Sequence, residues 1–176
     1  MTQILLIYSS VHGQTRKICE YIKQKVHQAD QAEHYVTLAA LDDVDDLSGF
    51  DSIYIGASIR HGKHRPALYE FIQQHQVELE TKPSGFFSVS LVARKPNKNT
   101  PETNAYMQAF LQKILWQPAL LQTFAGNLDY QGYGVMDRHI IRFIMWITKG
   151  PTDLNTKVEY TDWQKVDDFI AKMIEA

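Results

Sequence analysis

The chain has a single cysteine among its 176 residues and no apolar run long enough to cross a bilayer. One thiol excludes an intrachain disulfide and fits a reducing compartment. Cys19 is expected on the apolar side of the first helix. The apolar runs fall short of the ~18–20 residues that a spanning helix needs. No secretory signal is read, because the first apolar run begins almost at once, is too short and lacks a basic leader. Charge gives no functional cue either. Eighteen Lys and Arg against twenty Asp and Glu leave a formal net charge of −2, which points neither to nucleic acid nor to a strongly acidic carrier. No His, Cys, Asp or Glu cluster has metal-ligand spacing, so no metal is expected. Neither G-x-G-x-x-G nor G-x-x-x-x-G-K-[ST] is present, and there is no internal repeat or low-complexity segment.

What is present is an ordinary composition, 44% hydrophobic and 22% charged, in a chain long enough for one α/β domain over residues 1–176. The informative stretch lies near the start. Gln3 to Tyr8 is a short apolar run that reads as a strand buried on both faces. It ends in Ser9, Ser10, Val11, His12 and Gly13, after which Gln14 and Thr15 open a helical pattern. The first N–H groups of that helix have no partner within it, and with the helix dipole they make an anion site. Ser9, Ser10 and Thr15 add hydroxyls, and Gly13 permits close backbone approach. Hydroxyls stand where glycines would be and no lysine lies inside the loop, which suits a monophosphate held by neutral donors. A plain strand–turn–helix joint with polar caps would carry the same residues.

Downstream, Ile18, Ile22 and Val26 recur at helical spacing. Strands are expected at Tyr35–Leu38, Ser52–Ser58, Gly85–Leu91 and Leu120–Gly126, with a solvated acidic loop at Asp42, Asp43, Asp45 and Asp46. Pro66 fits a first helical turn, and Leu68, Phe71, Ile72 and Leu79 form that helix's apolar stripe. Thr100 is the expected N-cap of the next helix, with Pro101 beside it and Met107, Phe110, Leu111, Ile114 and Leu115 along it. Thr161 to Gln164 reads as a capping box before a last helix that buries Trp163, Val166, Phe169, Ile170 and Met173. The alternation predicts a five-stranded parallel sheet with helices on both faces. Ligands in such sheets lie beyond the carboxyl ends of the strands. The loops after the first, third, fourth and fifth strands therefore converge.

Residues 128–157 form an insertion associated with the fifth strand. Its middle, Val135 to Pro151, predicts an amphipathic helix roughly 20 Å long, at 1.5 Å per residue, stopped by Gly150-Pro151. Arg138, Arg142 and Lys149 fall near one face, and Ile140, Ile141, Phe143, Ile144, Trp146 and Ile147 make a broad apolar surface. Such a helix lies on an anionic membrane or covers an apolar ligand; burial against the domain or a partner subunit is the alternative.

The first loop resembles the flavodoxin signature through Leu6, Ile7, Tyr8, Ser10, Gly13 and Thr15, with Cys19 where that family usually has alanine. Further runs carry a narrower likeness: Ile55 to Arg60, Ser88 to Pro96, Tyr160 to Trp163, and Tyr133 with Asp137-Arg138 ahead of an Ile/Met-rich helix. Together these resemble the menaquinone-dependent protoporphyrinogen IX dehydrogenases of bacteria over nearly the whole chain. The resemblance implies a flavodoxin-like fold of the long-chain type, an FMN cofactor, and oxidation of protoporphyrinogen IX to protoporphyrin IX in haem synthesis. It also implies menaquinone or another quinone as acceptor, and a peripheral position on the cytoplasmic side of the bacterial inner membrane. Carried over, Ser10, Val11, His12, Gly13, Gln14 and Thr15 hold the phosphate. Ala57, Ser58, Ile59 and Arg60 border one side of the flavin ring, and Ser90, Leu91, Val92 and Ala93 the other. Arg60, Arg94 and Lys95 are the candidates for the substrate propionates. No acid or base is identifiable, and His12, His61 and His64 read as exposed loop histidines. Three alternatives stay open: a flavodoxin-type electron carrier, an NAD(P)H:quinone reductase, and a flavin-free membrane-binding module. Against the carrier, both flanking loops are basic and aliphatic.

Overall fold

The computed structural model describes residues 1–29 and 33–176. Five parallel strands, β1 (Thr2–Ser9), β2 (His34–Ala40), β3 (Ser52–Ser58), β4 (Ser84–Ser90) and β5 (Leu120–Ala125), form one sheet in the order β2-β1-β3-β4-β5. Alternation along β1 shows why the strand reads as a continuous apolar run. Ile4 and Leu6 pack on one face with Ile18, Ile22 and Val26 of α1 (Gln14–Ala29) and Val166, Phe169, Ile170 and Met173 of α6 (Trp163–Glu175). Leu5 and Ile7 point to the other face. There they meet α2 (Pro66–Gln74), α3 (Gln76–Thr81) and α4 (Ala105–Leu111) through Leu68, Phe71, Leu79, Met107 and Phe110. Burial on both faces at about 1.5–3 kcal/mol per large side chain is what holds the sheet. Gly56 of β3 belongs to this packing: a Cβ there would sit 2.2 Å from the Phe87 ring.

Several helix boundaries differ from the sequence reading, and at two of them a different side chain caps the helix. The stripe from Leu68 to Leu79 is two helices broken at the buried His75, whose N–H closes α2 on Phe71 O. Thr100 opens a turn, not a helix. The N-cap of α4 is Asn104, whose Oδ1 accepts from the N–H groups of Tyr106 and Met107 while its amide donates to Lys98 O. That helix ends at Leu111, leaving Leu115 outside it and exposed. In the last helix Asp162, not Thr161, is the cap. Thr161 is turned inward, and its hydroxyl donates to Ala125 O.

After β5 the chain forms a short antiparallel ribbon, β6 (Asn127–Asp129) with β7 (Lys157–Glu159). The insertion is slung between its two strands and contains α5 (Val135–Ile147). It has its own small core, in which Leu128, Tyr130, Tyr133 and Met145 are buried against Leu91, Ile141 and Tyr160. The helix stops on Lys149, in a left-handed conformation (φ +57°), and Gly150 N–H reaches back to Met145 O at 2.7 Å. That is a Schellman-type end, one residue earlier than the Gly-Pro pair suggested. Among the described residues no helix is long and apolar enough to cross a membrane.

Candidate functional site

One cleft opens beyond the carboxyl ends of β1, β3, β4 and β5, where the strand order reverses. Its floor is the loop from Ser10 to Thr15. Gly13 adopts φ +91°, a Cβ there would meet nothing within 4 Å, and its carbonyl accepts the first helical bond from Lys17. The Gly13 N–H donates to Ser10 Oγ at 3.1 Å. Thr15 is buried, and its Oγ1 has no hydrogen-bond partner among the described residues. A buried, unpaired hydroxyl at the start of a helix is costly unless a ligand satisfies it. The loop therefore has the donors, the open space and the dipole that a phosphomonoester needs. Gln14 lines the cleft, but its side-chain amide donates to Thr161 Oγ1 at 2.9 Å and Glu159 Oε2 at 3.1 Å. Only its backbone remains for a phosphate; the side chain ties the loop to the ribbon.

Two strand ends make the side walls. Ser58, Ile59 and Arg60 face Ser90, Leu91 and Val92, and the Ile59 N–H bonds Val89 O at 2.9 Å, fixing the gap between the loops. Arg60 and Lys63 exchange backbone bonds across a two-residue turn in which His61 (φ +50°) and Gly62 (φ +78°) are both left-handed. Ala57 and Ala93 lie buried behind these walls, and Val11 and Gly13 flank the floor without being part of the cleft lining. Arg94 is turned away: its guanidinium donates to Leu91 O, Thr148 O and Thr148 Oγ1. Lys95 also lies outside the cleft, where partial burial, then Arg94, Lys98 and Lys149, push its ammonium below the usual lysine range.

The insertion closes the cleft, in line with the expectation that its helix covers a ligand, while the part Asp137 plays was missed in the sequence reading. Tyr133, Asp137, Ile141 and Ile144 line it from above, with Tyr106, Gly126 and Asn127 beside them. The 137, 141, 144 spacing was legible as one face of a helix. Asp137 is buried in the first turn of α5. It accepts two bonds from Arg60 Nη2 at 3.1 Å and pairs with His61 Nε2 at 2.8 Å, while His12 Nε2 stands 3.5 Å away. Burial pushes this carboxyl up, but the bonds from Arg60 and His61 outweigh it and hold Asp137 below the usual aspartate range. The His12 ring packs tilted against Tyr133, with centroids 4.7 Å apart, and burial lowers its pKa, against the opposing pull of Asp137. Arg60, one candidate for substrate contact, is thus already paired on one side.

The histidine reading needs correction. His64 is not exposed but 97% buried between Phe86 and Phe110, bonded to Ser88 Oγ at 3.1 Å, and burial lowers it to about 4. It is a neutral core residue. The stripe of cations on α5 needs correction too. Arg138 donates to Tyr130 O and Tyr133 O, and Arg142 to Thr152 O, so both bind the insertion's own carbonyls. Among the described residues, no cluster of metal-ligating side chains occurs.

Comparison with known proteins agrees with this geometry. The model of the flavodoxin domain matches residues 5–155. A protoporphyrinogen IX dehydrogenase (quinone) of Escherichia coli strain K12 is 38% identical over 165 residues, covering 94% of this chain and 91% of that one. A protein of the same name from Leishmania major is 39% identical over 94% of this chain and 71% of its own length. In fold, the chain is similar to oxidised flavodoxin 1 of Bacillus cereus, with a TM-score of 0.56 and 14% identity over 99% of this chain and 98% of that one. The unbroken five-strand order, the glycine-turned loop and these matches lead to one assignment: the chain belongs to the flavodoxin-domain family, together with the protoporphyrinogen IX dehydrogenases (quinone).

Proposed function

We propose that this chain, as one flavodoxin-like domain, binds FMN in the cleft and oxidises protoporphyrinogen IX to protoporphyrin IX, passing the electrons to a quinone, menaquinone by the likeness of its motifs. The observation that carries this reading is the 38% identity, over 94% of the chain, to relatives of that name. The bound flavin would supply the two-electron acceptor that the polypeptide lacks. The chain's own work is to hold and enclose it. Backbone N–H groups of the loop from Ser10 to Thr15, other than that of Gly13, which is bonded to Ser10 Oγ, take the phosphate together with the Thr15 hydroxyl. Ala57 to Arg60 and Ser90 to Ala93 flank the ring. Ile59, Leu91, Val92, Ile141 and Ile144 give the cleft an apolar lining that excludes water and suits a flat macrocycle. Arg60 retains guanidinium N–H groups for a propionate, which favours it over Arg94 in that role.

The membrane part of the proposal rests on the outer face of α5. Val135, Met136, Phe143, Trp146 and Ile147 are all more than half exposed, a contiguous apolar surface of the kind that marks an interaction site. Lys149 and Lys95 at its end suit anionic headgroups at the cytoplasmic face of the inner membrane. Anaerobic incubation of the flavin-loaded protein with protoporphyrinogen IX tests the function. Each porphyrinogen gives up six electrons and each flavin takes two, so protoporphyrin fluorescence should reach at most one equivalent per three flavins, and become catalytic once menaquinone is added. Turnover with NAD(P)H but not with porphyrinogen would replace this reading by an NAD(P)H:quinone reductase.

A further inference from the structure

The Asp137 cluster reaches further than the reading just given, on which the following rests. Removing two electrons from a porphyrinogen releases a hydride and a proton. The C–H bond of a bridging carbon breaks and its electron pair leaves as hydride to the flavin. An N–H bond of an adjoining pyrrole breaks, its electron pair stays in the growing π system, and the proton needs an acceptor. The cleft is otherwise lined by aliphatics, hydroxyls, amides and tyrosines. We propose that His61 is that acceptor and that Asp137 is its positioning residue.

Geometry selects the tautomer. An ionised carboxylate only accepts hydrogen bonds, so the 2.8 Å contact with Asp137 Oδ1 places a hydrogen on His61 Nε2. In the neutral ring Nδ1 then carries the lone pair. The same logic orients a histidine base in a carboxylate–histidine pair. His61 rather than His12 is chosen on distance: His12 Nε2 stands 3.5 Å from Asp137, beyond a normal bond, and it belongs to the phosphate loop. His61 sits beyond β3, on the wall that faces the ring. The left-handed backbone at His61 holds the imidazole on a two-residue turn braced by the Arg60–Lys63 pairing. The ionisable groups around it are Asp137 from α5, Arg60 from its own turn, His12 from the phosphate loop, and Tyr106 and Tyr133 from the neighbouring cleft walls.

Two variants separate chemistry from structure. Asparagine tolerates the left-handed backbone and keeps a polar side chain but cannot take the proton. Glycine fits the same backbone and leaves space for free imidazole. In flavin-loaded His61→Asn, porphyrinogen kcat should fall roughly 100-fold, the low end of general-base contributions. FMN affinity should shift far less, and the acidic limb of the kcat/KM profile should vanish. In His61→Gly, added imidazole should restore part of the rate. Independently of activity, nitrogen NMR of the flavin-free protein should show His61 protonated on Nε2, and Asp137→Asn should abolish that preference. His61→Asn within threefold of wild type, no rescue of His61→Gly by imidazole, or the Nδ1–H tautomer would each overturn the proposal. A wild-type protein inert toward porphyrinogen would instead overturn the underlying function.

Discussion

The sheet and the insertion are built by different physics. The sheet is held by apolar burial on two faces, with Phe87, Phe124 and Phe169 packed edge to face on one of them. The insertion buries far less and leans on polar clasps: Tyr130 Oη to Pro151 O at 2.6 Å, Arg138 to Tyr130 O, Arg94 to Thr148, and Asp137 to Arg60 and His61. Apolar packing gives a rigid platform on which loops hold a cofactor. Directional clasps give a cover that closes the cleft yet opens at lower cost, as regions near ligands generally do.

The sharpest break between the two regions is stability. Phe169→Ala should cost about 3–5 kcal/mol of global stability in urea unfolding. Met145→Ala, equally buried but in the insertion, should accelerate hydrogen exchange over residues 135–147 while moving the global midpoint much less. Equal global losses would mean that the insertion and sheet unfold as one unit.

Next in size is the cofactor platform. Gly13→Asp puts a carboxylate where the phosphate belongs and strains a backbone at φ +91°. FMN affinity should fall by at least roughly 100-fold, about 2.7 kcal/mol, with the fold retained by circular dichroism.

A smaller effect is expected from Arg94→Ala. Its bonds to Leu91 O and Thr148 predict faster exchange at the end of α5, with porphyrinogen KM almost unchanged. A clearly raised KM would return Arg94 to the substrate.

The smallest effect concerns pH. The native carboxyl of Asp137 is held below its unfolded value. Its contribution to stability is therefore present above the ordinary aspartate range and lost as pH falls through the native value. Trp146 fluorescence should report a loosened insertion only in strong acid, and Asp137→Asn should show that signal already at neutral pH.

The sheet was legible because each strand obeys local rules. β1 is apolar on both faces, Ser52–Ser58 ends in small residues, and Val166, Phe169, Ile170 and Met173 repeat at helical spacing. The glycine-turned loop after β1 was legible because glycine and hydroxyls sit where a strand gives way to a helix. The caps were less so: Thr100 and Thr161 have the right chemistry, but Asn104 and Asp162 do the work, because Thr100 is held in a local turn with Thr103 and Thr161 is turned inward to Ala125 O. Asp137 was invisible as an anchor. Its partners lie 77, 76 and 125 residues away in sequence, and nothing local marks a first-turn aspartate as the meeting point of two distant loops. His64 was missed likewise, because only the folded chain shows Phe86 and Phe110 closing over it.

The most direct test of this division of labour is deletion of residues 134–148, closed by a short Gly/Ser linker. The variant is loaded with FMN, reduced with dithionite and mixed with quinones. The account predicts that FMN stays bound, that a water-soluble quinone still reoxidises the flavin, and that anionic liposomes no longer retain the protein. Reoxidation by a long-tailed quinone in those liposomes should slow markedly. Undiminished liposome binding with undiminished long-tailed quinone reduction would contradict it and make α5 a helix packed on protein alone.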